Sequence, residues 1–184
     1  MYTMPNGDAA HIEPLREVTG LTVRRLETRD FARLNEFLNH YIIHTAINFA
    51  MAPFTLEERA EWCAAYGPTG RHQMFVAEAS GVVLGMASTS QFRPKHAYDT
   101  TVEVSVVCAP EAVGFGIGQR LYETLFDAVR GEDIHMAIAA ITLPNAGSCA
   151  LHERMGFARV ATLREIGRKF DRYWDIAWYQ RAFG

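Results

Sequence analysis

Residues 101–157 constrain the fold of this chain more than any other part of its sequence. In residues 101–107, valines occupy every second position with Glu103 between them, a period of two that predicts a β-strand carrying an acid on one face. The apolar run 136–141 predicts a buried strand, and residues 145–155 predict a short helix. Between the two strands, a glycine-rich turn leads into a helix whose apolar side chains recur at Ile117, Leu121, Leu125 and Val129. The predicted order is strand, glycine-rich turn, helix, strand, helix.

The rest of the chain supplies further strands and helices around this unit. Residues 21–26 predict a first strand, and Thr28 is the predicted N-cap of a helix over 29–44. A capping box at 55–58 predicts a second helix that ends near residues 67–68. Residues 73–79 and 82–91 predict a hairpin, and 158–164 and 174–183 predict two closing strands. We therefore expect one α/β domain over 21–184, with a mixed sheet covered by helices, after a mobile tail of residues 1–20.

Composition excludes several classes of protein. The net charge of −3 over 184 residues argues against a nucleic-acid-binding protein, and no apolar run reaches membrane-spanning length. Residues 1–20 lack the apolar core of a signal peptide. Three isolated cysteines without a CxxC spacing predict a reducing, cytoplasmic location and no metal centre: Cys63, Cys108 and Cys149.

The glycine-rich turn is open to two interpretations. Glycines between a strand and a helix allow a phosphate to approach the free N–H groups of the helix N-terminus. The dinucleotide fingerprint is incomplete, because Gln119 occupies its last glycine position and no acid ends the second strand. No GxxxxGK sequence for a nucleotide P-loop is present. The alternative is a turn that serves packing alone.

Two titratable side chains are candidate acid–base groups. His152 shares a helix face with Asn145 and Ser148, because these residues are spaced by three and four. Glu103 becomes a candidate general base if burial raises its pKa. The alternatives are a solvated helical histidine and an acid on a half-exposed strand. Trp62, Trp174 and Trp178 are predicted core aromatics.

These residues together resemble the GNAT superfamily of N-acetyltransferases. The family motif [QR]xxGx[GA] is matched by residues 113–118, with Val113 in the place of the usual Arg or Gln. A second motif, Asn at a helix start followed by a hydrogen-bonding residue and Gly-Phe, is matched by Asn145, His152 and Gly156-Phe157.

The resemblance narrows to the phosphinothricin and methionine sulfoximine acetyltransferase branch and covers nearly the whole chain from Leu21. The matching pieces are 55–59, 92–94, 97–98, 101–103, 151–153, 169–170, 174–176 and Gln180. Near the C-terminus, Asp171 and Tyr173 depart from the Gly and Trp of the branch.

The resemblance implies a fold and a cofactor site. The fold would be a mixed sheet of about six or seven strands, in which a splayed parallel pair binds acetyl-CoA as co-substrate. Val106 N–H would polarise the thioester carbonyl, and the backbone of the glycine motif would hold the pyrophosphate. The implied cofactor-binding residues are Val106, Val107, Cys108, Val113, Gly114, Phe115, Gly116, Ile117, Gly118, Asn145 and Ser148.

The resemblance also implies catalytic roles and a substrate class. Glu103 would be the general base, directly or through a water, and His152 the general acid. The substrate would be the α-amine of a small amino acid such as phosphinothricin, methionine sulfoximine or methionine sulfone. Phe92, Arg93 and Lys95 would bind it, with Arg93 and Lys95 holding its anionic oxygens; the alternative is that both cations face solvent. The branch further implies a homodimer.

Two other functions remain open at this point. One is acetylation of a different amine, such as an aminoglycoside or a polyamine. The other is a catalytically weak domain that binds acetyl-CoA as a sensor, which the departure at Val113 leaves open.

Overall fold

The computed structural model describes residues 13–183, which form seven strands and four α-helices. The strands are β1 Thr22–Arg25, β2 Met74–Ala79, β3 Val82–Gln91, β4 Thr101–Cys108, β5 Met136–Thr142, β6 Ala158–Lys169 and β7 Arg172–Ala182. The helices are α1 Phe31–His44, α2 Leu56–Cys63, α3 Ile117–Ala128 and α4 Ala146–Arg154.

The strands form one mixed sheet in the order β1-β2-β3-β4-β5-β7-β6. Every neighbouring pair is antiparallel except β4 and β5, which are parallel. This topology confirms the predicted mixed sheet. The parallel pair stands in the middle of the sheet, and it is produced by the strand–turn–helix–strand unit of residues 101–142.

The helices cover both faces of the sheet. A Cβ on Gly85 of β3 would lie 3.2 Å from Leu121 Cδ1, so α3 packs closely on the face to which Gly85 points. Met86, the next residue of β3, points to the opposite face and lines a cavity with Leu38 of α1 and Arg59 of α2. The alternation of side chains along β3 therefore puts α3 on one face and α1 with α2 on the other.

The start of the first helix differs from the prediction. Thr28 is not its N-cap, because residues Thr28–Asp30 form a 3-10 turn and α1 begins at Phe31. Glu27 N–H donates to Asp30 Oδ2 at 2.8 Å, and Asp30 is buried against the guanidinium of Arg24. This ion pair, in which Asp30 is the buried partner, holds the chain in a tighter turn than the sequence pattern indicates.

The closing hairpin is longer than predicted and is anchored to α1. Lys169, only 4% exposed, donates from Nζ to Ile42 O at 2.7 Å and to Asn48 O at 2.6 Å. The ring of Phe49 fills the space that a Cβ on Gly167 would occupy. These contacts fix the loop between α1 and α2 against β6 and β7.

The beginning of the chain is described from residue 13. Leu15 N–H donates to Glu111 O at 2.9 Å, and Leu15 and Val18 pack against the core. Residues 1–12 of the tail predicted for 1–20 lie outside the described residues. Across residues 13–183, no helix has both the length and the apolar character needed to cross a bilayer.

Candidate active site

The central parallel pair of strands separates after three residue pairs. Thr101–Glu103 of β4 pair with Met136–Ile138 of β5, whereas β4 stays paired with β3 as far as Cys108. Ala109 N–H donates to Leu84 O of β3 at 2.8 Å. Because backbone groups alternate along a strand, the N–H groups of Val104, Val106 and Cys108 point away from β3, toward the gap. The structure therefore has a gap between β4 and β5 that is edged by backbone N–H and C=O groups.

A cavity of about 120 Å³ lies in this gap. It brings together five of the predicted site residues from two elements: Val106 and Val107 of β4, and Asn145, Ser148 and His152 at the start and along the length of α4. Tyr122 of α3 also lines it.

Asn145, Ser148 and His152 share one face of α4, as predicted from their spacing. Asn145 Oδ1 accepts the N–H of Ser148 at 3.2 Å and caps the helix. Ser148 O lies 2.8 Å from His152 Nδ1. The capping hydrogen bond therefore sets where the helix begins and aims its polar face at the gap.

His152 is held in one tautomer by two hydrogen bonds. A carbonyl oxygen only accepts, so Nδ1–H donates to Ser148 O, and Nε2 accepts the hydroxyl of Tyr122 at 2.9 Å. His152 is 3% exposed, and burial lowers its pKa below the usual value, although the Ser148 carbonyl opposes the shift. The imidazole is therefore neutral at pH 7.

Tyr122 was missed by sequence reasoning. It lies in α3 beside Leu121, within the apolar pattern of the helix, and its side chain is fully buried. Burial raises the pKa of its hydroxyl. No local motif marks this residue, because its contact with His152 spans thirty positions of the chain.

The glycine-rich turn leaves space in front of the N-terminus of α3. Gly114 and Gly116 have φ angles of 98° and 73°, and a Cβ at either position would meet no atom within 4 Å. The first N–H groups of a helix have no acceptor inside it, so this end of α3 fits an anion such as a pyrophosphate. Val113 is 59% exposed and Phe115 36% exposed on the same turn.

Gly118 allows α3, α4 and β4 to approach one another closely. A Cβ on this residue would lie 2.9 Å from Leu151 Cδ2 and 3.5 Å from Val106 Cγ2. Burial raises the pKa of the Cys108 thiol to about 11, and the backbone of Gly118 acts against this shift. Ile117, beside it, is buried. The last glycine of the motif therefore serves packing at the edge of the gap.

Glu103 lies on the opposite face of the sheet from His152. It shares its face of β4 with Ser105 and Val107, whereas Val106 points toward α3. Burial raises the pKa of Glu103, and the charge of Arg93 acts against this shift. Arg93 and Lys95 are both exposed on the connector that follows β3.

Phe92 belongs to an aromatic group beside Arg93. Its ring lies 5.7 Å from Tyr98 and 5.8 Å from Trp178, both edge to face. Nε1 of Trp178 is buried and has no hydrogen-bond partner among residues 13–183. Trp174 is buried as predicted. Trp178 as a whole is only partly buried, and its indole N–H is an unused donor on this side of the sheet.

This arrangement suits transfer between two molecules that approach from opposite faces. An acid with a raised pKa stands on one face, a neutral imidazole with a tyrosine hydroxyl stands on the other, and strand backbone edges the gap between them. Within the part of the chain that the structure describes, no cluster of three His, Cys, Asp or Glu side chains could hold a metal ion.

The fold and this site define an acetyltransferase of the GNAT class. The sequence matches the acetyltransferase (GNAT) domain family over residues 23–178, and the chain therefore belongs to that family. Membership confirms the fold class and the enzyme class predicted from the sequence.

Several named relatives are similar over most of their length. The chain is 48% identical to the phosphinothricin N-acetyltransferase of Streptomyces coelicolor, covering 83% of this chain and 90% of that one. It is 33% identical to the L-methionine sulfoximine/L-methionine sulfone acetyltransferase of Salmonella typhimurium, with coverages of 87% and 93%. A solved phosphinothricin acetyltransferase from Sinorhizobium meliloti, in complex with AcCoA, superposes with a TM-score of 0.84 at 29% identity, covering 89% of each chain.

Proposed function

We propose that this protein transfers an acetyl group from acetyl-CoA to the α-amine of a small amino acid whose side chain carries an oxidised sulfur or phosphorus. Phosphinothricin, methionine sulfoximine and methionine sulfone are the expected acceptors. The observation that carries the proposal is the gap between β4 and β5, with Glu103 on one face and the Tyr122–His152 pair on the other. The relatives named for these acceptors support the substrate class.

Backbone groups bind and polarise the acetyl donor in this proposal. Val106 N–H points into the gap and would stabilise the oxyanion that forms when the amine attacks the thioester. One such donor is typically worth about 3 kcal/mol of the barrier. The N–H groups from Gly114 to Gly118 would hold the pyrophosphate, with Val113 and Phe115 flanking it and Ile117 anchoring the turn in the core. Val107, Cys108, Asn145 and Ser148 would line the path of the pantetheine arm.

Glu103 is the proposed general base. An ammonium group cannot attack a carbonyl, so the acceptor must first lose a proton. Because burial raises the pKa of Glu103, its carboxylate is a stronger base than that of an exposed glutamate. It would act directly or through one water.

His152, acting with Tyr122, is the proposed general acid. The resting imidazole is neutral, so the catalytic complex must first bind a proton at Nε2. That proton would then pass to the Tyr122 oxygen as the Tyr122 proton passes to the departing thiolate. The transfer leaves a neutral imidazole and an intact phenol, which is the resting pair.

The acceptor's carboxylate is assigned to the connector after β3. Arg93 and Lys95 present two cations there, and Phe92 supplies an aromatic wall with Trp178. Arg93 also lies close enough to Glu103 to influence its pKa. The carboxylate would therefore bind beside the base that accepts the proton from the amine.

A thiol-release assay with acetyl-CoA tests the substrate class. The panel should contain methionine sulfoximine, methionine sulfone, phosphinothricin, methionine, a polyamine and an aminoglycoside. Turnover concentrated in the first three supports the proposal. Turnover only with the cationic amines would keep the enzyme class and replace the acceptor, and acetyl-CoA binding with no turnover would favour the sensor function.

The homodimer and the cytoplasmic location are parts of the same proposal. Exposed apolar side chains at the end of α1, on the α1–α2 loop and on the closing hairpin support a subunit contact: Ile43 49%, Met51 76%, Ile166 57% and Tyr173 58% exposed. Light scattering on the purified protein would give a mass of two chains. A single-chain mass at micromolar concentration would reject the dimer.

A further inference from the structure

Arg59 is a buried arginine on the acceptor side of the sheet. It lies on α2 and is 5% exposed. Its guanidinium carbon lies 4.8 Å from the ring centroid of Phe54 and 5.0 Å from that of Trp62. Nε donates to Asn35 Oδ1 at 3.3 Å. These contacts fix the plane of the guanidinium.

The charge of Arg59 is not balanced by any carboxylate among residues 13–183. Nη2 is buried and lacks a hydrogen-bond partner in the same part of the chain. By contrast, the partly buried Arg24 and Arg33 each pair with two acidic side chains. An uncompensated buried charge destabilises a folded protein, and burial lowers the pKa of Arg59 accordingly. A buried cation that is held in place without an anion is typical of a ligand-binding group.

Arg59 lines a cavity of about 220 Å³ that adjoins the gap between β4 and β5. Ser105 and Val107 line both this cavity and the one in the gap. The rest of its wall is mostly apolar and aromatic: Leu38, Phe54, Trp62 and Met86, with Asn48 at one side. A group bound here would therefore lie next to the point of acetyl transfer.

We propose that Arg59 binds the oxygen atoms on the tetrahedral sulfur or phosphorus at the side-chain end of the acceptor, and so selects acceptors that carry such a group. This inference rests on the proposed function and deepens it. The planar guanidinium presents paired donors that match two acceptor atoms on one centre: two oxygens in a sulfone or a phosphinate, and an oxygen with the imine nitrogen in a sulfoximine. The apolar wall accommodates the methyl group attached to the same sulfur or phosphorus.

This assignment divides the acceptor between two cationic positions. The exposed Arg93 and Lys95 suit the carboxylate, which binds beside Glu103 at the rim. The buried Arg59 suits a group that is partly apolar, because Arg59 is the one charged side chain among the described residues that line its cavity and most of the others are apolar. The amine would then lie between the two, at Glu103 and the gap.

The test compares two acceptors that differ only in the sulfur oxygens, methionine sulfone and methionine. In R59M we expect kcat/KM for methionine sulfone to fall about 10- to 100-fold, chiefly through KM, because hydrogen bonds to a charged donor are lost. The KM for acetyl-CoA and the kcat/KM for methionine should stay close to the wild-type values. R59K, which keeps the charge but loses the paired donors, should give an intermediate loss. R164M removes an exposed arginine of β6 and is the matched control.

Stability distinguishes a ligand-binding arginine from a structural one. Because the charge of Arg59 is unbalanced without a ligand, R59M should have a Tm equal to or above that of the wild type. A lower Tm together with equal losses for methionine and its sulfone would make Arg59 structural and overturn the proposal. Unchanged discrimination between the two acceptors in R59M would also overturn it, while leaving the proposed function intact.

Binding of dimethylphosphinate separates failure of the site from failure of the proposed function. This anion has the methyl groups and the two oxygens but no amine, so it reports on the cavity without turnover. Saturable binding by the wild type and R164M that is lost in R59M would support the site even if no acceptor in the panel were acetylated. Absence of binding to the wild type would overturn it.

Discussion

The hydroxyl of Tyr122 donates a 2.9 Å hydrogen bond to Nε2 of His152. Both side chains are buried, and both line the cavity between β4 and β5. Nδ1 of the same ring is occupied by Ser148 O, so Nε2 is the ring nitrogen that faces Tyr122. Any proton that His152 contributes through Nε2 must therefore pass through this hydroxyl or displace it.

Removing the hydroxyl in Y122F should lower kcat by about 10²-fold, because general acid catalysis contributes about 10²–10⁴-fold. The Kd for acetyl-CoA should change little, as the ring and its packing stay in place. Steady-state kinetics and calorimetric titration measure the two quantities. Y173F, on an exposed tyrosine of β7, is the control. A large loss in H152Q with normal kcat in Y122F would mean that His152 acts alone.

Replacing the proposed base in E103Q should lower kcat by about 10²–10⁴-fold while acetyl-CoA binding stays near normal. In the wild type, kcat/KM should rise with pH as Glu103 ionises, with a midpoint above the usual glutamate value because burial raises its pKa. A pH–rate profile checks both statements. Unchanged kcat at saturating amine in E103Q would remove Glu103 from the mechanism.

Adding one methyl group in G118A should displace the side chain of Leu151 and crowd the contact between α3 and α4. The new Cβ would lie 2.9 Å from Leu151 Cδ2, and overpacking typically costs about 1–3 kcal/mol; the lower end applies here because the tip of a leucine side chain can rotate. We expect a lower free energy of unfolding in urea and weaker acetyl-CoA binding. G147A is the matched control for stability, since a Cβ on Gly147 of α4 meets nothing within 4 Å. Equal stability of the two variants would contradict the packing role of Gly118.

Removing the anchor of the closing hairpin in K169M should lower the free energy of unfolding by about 2–3 kcal/mol. The change leaves Ile42 O and Asn48 O without the charged donor that they share, and hydrogen bonds from charged groups are worth about 1.5–3 kcal/mol. K95M makes the same chemical change at an exposed lysine and should have little effect on unfolding in urea. Similar losses in the free energy of unfolding in both variants would show that the buried hydrogen bonds of Lys169 do not stabilise the hairpin.

The stability of the ligand-free protein should decrease as pH falls below about 6.5, the usual histidine value. Burial lowers the folded-state pKa of His152, and also of His40 and His72. The unfolded chain therefore binds more protons in this range, and each such group contributes at most about 1.4 kcal/mol per pH unit. H152Q should show a shallower dependence in urea unfolding between pH 7 and 5. Identical slopes in the two proteins would contradict the neutral state of His152.

Local sequence patterns determined the elements of this protein. The period of two in residues 101–107, the apolar repeat from Ile117 to Val129 and the capping box at Thr55 each specify one element through neighbouring residues, and each appears in the structure. The spacing of Asn145, Ser148 and His152 likewise predicted a shared face, because helical geometry alone sets it.

Only the tertiary structure decided how these elements form a site. Val106 faces a gap because β4 stays paired with β3 and β5 stays paired with β7 beyond the point where β4 and β5 separate. No residue of β4 itself encodes that separation. In the sequence alone, Tyr122 and Arg59 are ordinary positions of amphipathic helices. The role of Tyr122 depends on a histidine far along the chain. The role of Arg59 depends on its burial without an opposite charge within the described chain. Burial and long-range contact set pKa and hydrogen bonding, and both arise only when the sheet and its helices pack.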